Sequence, residues 1–101
     1  MKPDVIEDAL MRTVETLVSL PSGIRMVMMA KRGLMVARLE DRKAGRYALV
    51  RLPYQDAVDG GAECYAPFLA DAADKLGRAL RTLCENPESL PELPRRDTVM
   101  T

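Results

Sequence analysis

The chain has 101 residues, with fifteen basic and fifteen acidic side chains, two Cys and no His or Trp. The lack of His removes the commonest general base and the commonest metal ligand, and two Cys are too few for a disulfide framework or a zinc signature. These properties favour one small domain that binds a partner without catalysis, metal or cofactor.

The N-terminal segment carries acidic residues where a secretory signal peptide needs a basic and then an apolar stretch. The chain also has no run of about 18 apolar residues, the length that a membrane-spanning helix requires. We therefore expect a cytoplasmic protein with no membrane contact.

The neutral total conceals an uneven distribution of charge along the chain. Residues 22–53 contain eight bases and two acids, a net charge of plus six, and residues 54–92 contain three bases and eight acids, a net charge of minus five. Such segregation of charge points to a polar docking partner or to self-association.

The first predicted element is a helix that runs from about Asp4 to Leu20. Its apolar residues recur at three- and four-residue spacing, Asp4 and Glu7 can form a capping box, and Pro21 stops the helix. The apolar stripe consists of Val5, Ile6, Ala9, Leu10, Val14, Leu17 and Val18.

Three strands follow, at Ile24 to Ala30, Leu34 to Glu40 and Arg46 to Leu52, separated by short turns that contain glycine. A register that pairs Arg25 with Glu40 and Leu39 with Ala48 gives one sheet face without any charge. That apolar face carries Ile24, Met26, Met28, Ala30, Met35, Ala37, Leu39, Ala48, Val50 and Leu52. The other face carries Arg25, Val27, Met29, Val36, Arg38, Glu40, Tyr47, Leu49 and Arg51.

A longer connection, residues 53–65, leads to a second helix that has Pro67 in its first turn and ends at Asn86-Pro87. Its stripe is Phe68, Leu69, Ala72, Ala73, Leu76, Ala79, Leu80 and Leu83. Residues 87–101 contain prolines at intervals, which predicts an extended and partly disordered tail. The expected fold is a two-layer α+β sandwich in the order α-β-β-β-α, with a domain at residues 1–86 and a tail at 87–101.

Two groups of residues before the second helix invite a chemical interpretation. Cys64 lies where a helix dipole could activate a thiol, but no His is present as a base and Glu63 opposes a thiolate, so we expect an inert thiol. Asp56, Asp59 and Glu63 surround two glycines, but their spacing does not match a calcium loop, and a turn with capping acids explains them better.

The charged and apolar sheet face is the candidate binding site. Three arginines from three strands could bind acidic side chains or phosphates, unless they are simply solvated and one of them is neutralised by Glu40. The apolar residues between them would form an exposed patch that needs a cover. The candidate binding residues are Arg25, Val27, Met29, Val36, Arg38, Tyr47, Leu49 and Arg51.

These features predict a protein-interaction module of adaptor, chaperone or inhibitor type, homodimeric, that docks a protein partner or a second copy through this face. The alternative is nucleic-acid binding by the basic strands. Over about residues 4–86 the order of elements is similar to that of the double-stranded-RNA-binding domain. That family has a Lys-rich cluster at the start of its second helix, whereas residues 66–74 here contain no base, and a sequence pI of about 6.3 also counts against this alternative.

Overall fold

The computed structural model describes residues 3–94. It contains helix α1 (Pro3–Glu15), three strands, helix α2 (Gln55–Gly60) and helix α3 (Ala62–Glu85), followed by a 3-10 turn at Pro87–Ser89. The strands are β1 (Ile24–Lys31), β2 (Leu34–Asp41) and β3 (Arg46–Pro53). The predicted α+β class and the three-stranded antiparallel sheet are confirmed.

The sheet has the order β1-β2-β3, and its register pairs Arg25 with Glu40 and Leu39 with Ala48. Each strand continues one residue beyond its predicted end. Arg32 and Gly33 form the β1–β2 turn with φ angles of 52° and 81°. Positive φ at both positions suits a two-residue hairpin, because the twist of such a turn matches the twist of the strands.

The helices cover one face of the sheet, which we call the inner face. Leu10 and Val14 of α1 and Ala72 and Leu76 of α3 are fully buried and belong to one cluster with the sheet. The inner-face side chains of β2 and β3 are buried as well, namely Met35, Ala37, Leu39, Ala48, Val50 and Leu52. Burial of these apolar side chains on both sides of the layer boundary is the main stabilising term of the fold.

Helix α1 ends five residues before the predicted end at Leu20. The Thr16 hydroxyl donates to the Thr13 carbonyl at 2.7 Å, and the amides of Thr16 and Leu17 bond back three residues instead of four. Hydroxyl side chains compete with the helical ladder in this way, and Pro21 disfavours helical backbone at the residue before it. Leu17 and Val18 still pack against the core, although they lie outside the helix.

The expected connection at residues 53–65 is partly helical, which corrects the prediction. Helix α2 buries Ala57, and α3 begins at Ala62, so that Pro67 lies inside α3 and not in its first turn. Gly61, with φ of 71°, separates the two helices. The end of α3 at Glu85 agrees with the predicted stop at Asn86-Pro87.

The tail is not extended at its start, because Pro87–Ser89 forms a 3-10 turn. Beyond this turn the chain returns to the free side of β3, where Tyr47 N donates to Pro91 O at 3.1 Å and Leu93 N donates to Gly45 O at 2.8 Å. Leu90 packs beside buried Leu39, Ala48 and Leu83. The predicted disorder concerns residues 95–101, which lie outside the described residues.

Within residues 3–94, no helix combines the length and the apolar character needed to cross a bilayer.

Candidate functional site

The sheet surface that faces away from the helices, which we call the outer face, carries all eight candidate binding residues. The register arranges them with Glu40 in three rows that cross the sheet. The rows are Arg25, Glu40 and Tyr47; Val27, Arg38 and Leu49; and Met29, Val36 and Arg51. Each arginine therefore lies in a different row and on a different strand, so the three form a diagonal and not a straight stripe.

Glu40 joins two of the three arginines. Its Oε2 lies 2.8 Å from Arg38 Nε and its Oε1 lies 3.6 Å from Arg25 Nε. The Arg38 Nε atom is buried and is not aligned to donate a hydrogen bond, so its contact with Glu40 is ionic in character. Glu40 itself is only 6% exposed, although the outer face is open. Two guanidinium groups thus compensate a carboxylate that has lost most of its water.

Arg51 stands apart from this cluster, at the far end of the diagonal. It is exposed, and it has no ion-pair partner among residues 3–94. All the N–H donors of its guanidinium group are therefore available to a carboxylate from outside the chain.

The apolar side chains between the arginines are uncovered. Met29 is 67% exposed and Leu49 is 51% exposed. Val27, Val36 and Tyr47 are half-buried by their neighbours on the same face. No described part of the chain packs over this patch.

A cleft of about 590 Å³ continues the outer face at its Arg25 end. It lies between the β2–β3 turn and the returning tail, and its charged lining residues are Arg25, Arg38, Glu40, Arg42, Arg46 and Glu92. Arg46 is held in place, because its Nη1 donates to Leu90 O at 3.0 Å and its Nη2 lies 3.6 Å from Glu92 Oε1. Arg42 is exposed and has no ion-pair partner within the described part of the chain.

The sequence pattern does not predict this cleft. The pattern places Arg42 in a turn, Arg46 at the start of a strand and Glu92 in an extended tail. The signal that could have revealed the cleft is the excess of bases around the β2–β3 turn, where Arg42, Lys43 and Arg46 lie within five residues. Its second wall depends on the return of the tail, which no local pattern encodes.

Among the acidic residues next to α3, Asp59 accepts a hydrogen bond from Gln55 Nε2 at 3.0 Å. Cys64 lies in the first turn of α3, half-buried against Gly60, where an added Cβ would collide with its sulfur. Both cysteines are free thiols. Among the described residues, no group of three or more Cys, Asp or Glu side chains is arranged to hold a metal ion.

Comparisons with known proteins give no match to the chain, whether with family models, with curated proteins or with solved structures.

Proposed function

We propose that the chain is a non-enzymatic protein-interaction module that docks a partner protein through the outer face and the adjoining cleft. The observation that carries this proposal is the uncovered apolar patch with Met29 and Leu49, which is bordered by arginines and leads into a basic cleft. Apolar centres with charged borders are typical of docking surfaces, and arginine is enriched at them.

The charges of this surface define the chemistry of the partner. The outer face and the cleft together present Arg25, Arg38, Arg42, Arg46 and Arg51 against Glu40 and Glu92. The matching surface is an apolar segment with acidic side chains, whose carboxylates reach Arg42 and Arg51. Two outer faces stacked on each other would bring like charges together, so this surface favours a partner other than a second copy.

The proposal includes the cytoplasmic location that the sequence predicts. Two free thiols are compatible with a reducing compartment, where disulfides rarely persist.

Charge reversal at the two unpaired arginines tests the docking surface. Full-length chain carrying Arg42→Glu or Arg51→Glu is purified from the cells that express it, and the co-purifying proteins are quantified by mass spectrometry. We expect a partner that is recovered with the unchanged chain to fall about tenfold or more with either variant.

The matched control is Arg81→Glu, an exposed arginine of α3 that also has no ion-pair partner among the described residues. This variant should recover the partner at the level of the unchanged chain. If no protein depends on Arg42 and Arg51, or if Arg81→Glu lowers recovery equally, the outer face is not the docking surface.

The alternative function, nucleic-acid binding, draws its support from the same cleft, since four arginines can also receive phosphates. Helix α2 and the start of α3 do not add to it, because Asp56 and Asp59 of α2 and Glu63 of α3 are exposed. A mobility shift of double-stranded RNA or DNA that weakens steeply with salt and disappears with Arg42→Glu would favour this alternative over protein docking.

A further inference from the structure

Strand β1 forms an open edge of the sheet. Its only strand neighbour among residues 3–94 is β2, whereas the far side of β3 receives the returning tail at the bridge between Arg46 and Glu92. An open edge presents unpaired backbone donors and acceptors that can pair with another strand.

The hydrogen-bond pattern identifies the β1 residues whose backbone groups point outward. Tyr47 N donates to the tail, so the backbone groups of alternate residues 47, 49 and 51 of β3 point away from β2. Following this alternation across the register, β1 bonds to β2 through residues 25, 27, 29 and 31. Ile24, Met26, Met28 and Ala30 therefore direct their backbone groups to the open side, and only the Ile24 amide has a partner there, Pro21 O at 3.1 Å.

The inner-face row of β1 is incompletely covered. Met26 and Met28 contact the core but are only half-buried, whereas Met35, Ala37 and Leu39 of the neighbouring strand are fully buried. Helix α1 contacts β1 but leaves Met26 and Met28 half-buried, so apolar surface remains open next to the unpaired backbone.

The edge also lacks the features that usually prevent pairing. Residues 26–30 are all apolar and contain no proline, and the register with β2 continues through them without a bulge. Charges occur only towards the two ends, at Arg25 and Lys31. A strand that pairs with this edge must therefore be apolar in its centre and must keep bases away from Arg25 and Lys31.

We propose that two copies of the chain pair antiparallel through their β1 strands, with Val27 next to Val27 of the second copy on the symmetry axis. This register sets Met26 opposite Met28 of the second copy and places Arg25 beside an uncharged Met29. A shift that centres the pair on Met28 would set Arg25 opposite Lys31, and like charges at opposing positions destabilise a strand pair.

A second copy meets every requirement of this edge. Its β1 supplies the same outward backbone groups, and its inner-face row extends the half-covered row of the first copy, so that both rows gain apolar cover. The tail occupies the start of β3, around residues 45–47, whereas β1 is open from Met26 to Ala30, and pairing through β1 alone closes at two copies and forms a six-stranded sheet. The two outer faces then lie side by side on one surface and remain free for docking, and the pairing does not depend on the proposed function.

The experiment measures the mass of the full chain in solution by sedimentation equilibrium from low to high micromolar concentration. We expect twice the chain mass of 11.2 kDa. Val27→Lys places two ammonium groups together on the axis and should raise the dissociation constant at least tenfold. Leu49→Lys is the matched control, because Leu49 lies in the same row of the outer face but on β3, and it should leave the mass unchanged.

Amide hydrogen exchange separates loss of pairing from loss of folding. In the unchanged chain the amides of Met26 and Met28 should be protected at high concentration, and in Val27→Lys they should exchange quickly while the amide of Met29, bonded to β2, stays protected. A single-copy mass at all concentrations overturns the proposal. A mass that grows beyond two copies, or a pair that Leu49→Lys dissociates and Val27→Lys does not, overturns it as well.

Discussion

Glu40 shows how an open sheet face can hold a nearly buried carboxylate. Its neighbours in space are the guanidinium groups of Arg25 and Arg38, which are partly exposed and can adjust to it. An ion pair with one nearly buried member contributes more to stability than a fully exposed pair. When such a pair is broken, the buried carboxylate is left with neither a counter-charge nor water around it. Glu40 therefore fixes the position of two of the arginines that we assign to docking.

We predict that Glu40→Gln lowers the free energy of unfolding by about 1 kcal/mol, because it leaves both arginines without their counter-charge. Glu92→Gln is the control, since Glu92 is exposed and its pair with Arg46 spans 3.6 Å, and it should change stability by less than about 0.5 kcal/mol. Urea unfolding at neutral pH measures both. Equal losses would show that the burial of Glu40 has no energetic weight.

The strands illustrate which elements a sequence can predict. Alternation of charged and apolar residues, together with the opposition of Arg25 and Glu40, was enough for the register, because a slip of one residue would have buried charge. The five-residue excess in α1 and the missed α2 have a common cause. Helix α1 ends where the Thr16 hydroxyl bonds to the backbone, and the six-residue helix α2 is stabilised by the burial of Ala57. Neither effect changes the spacing of apolar residues, which is the signal that predicts helices.

The candidate site, like the fold, could be predicted from the sequence only in part. The eight outer-face residues follow from strand alternation and were predicted together. The cleft was missed because Arg46 and Glu92 lie far apart in the chain, and they meet only after the tail turns at Pro87–Ser89 and pairs with β3.

The β1–β2 turn provides a prediction at the scale of elements. Gly33 and Gly45 both have positive φ, but an added Cβ at Gly33 would lie 2.9 Å from Gln55 Oε1 and 3.2 Å from Gln55 Cβ, whereas Gly45 has open space. We predict that Gly33→Ala destabilises the chain by about 1 kcal/mol more than Gly45→Ala, because only the first must also shift the side chain of Gln55, the first residue of α2. Thermal unfolding of the two variants gives the difference, and equal midpoints would contradict it.

The whole molecule separates its charge by layer. The strands and their turns carry the basic excess of residues 22–53, and the helices and tail carry the acidic excess of residues 54–92. The neutral total therefore conceals a basic sheet surface and an acidic helical surface. Such a division orients the molecule as it approaches a charged partner, with the sheet towards acidic groups.

Truncation tests where the folded unit ends, since the boundary after residue 86 stays a prediction. Removing residues 87–101 takes away Leu90 from its cluster and the bonds to Tyr47 and Gly45, and should lower the free energy of unfolding by about 2 to 3 kcal/mol. Removing residues 95–101 alone keeps all of these contacts and should leave stability within about 0.5 kcal/mol. Urea unfolding compares the two truncations, and equal stability would place the boundary at residue 86.

The order of elements along the chain also has a consequence for synthesis. The sheet is complete at Pro53, but the helix that covers most of its inner face ends at Glu85, and the tail reaches β3 only at Leu93. At a translation rate of about 5 to 20 residues per second, residues 54–85 take roughly 2 to 6 s. Throughout that interval α3 is incomplete, so Met35, Ala37 and Leu39 of the nascent sheet lack its cover and stable folding has to wait until α3 has been made.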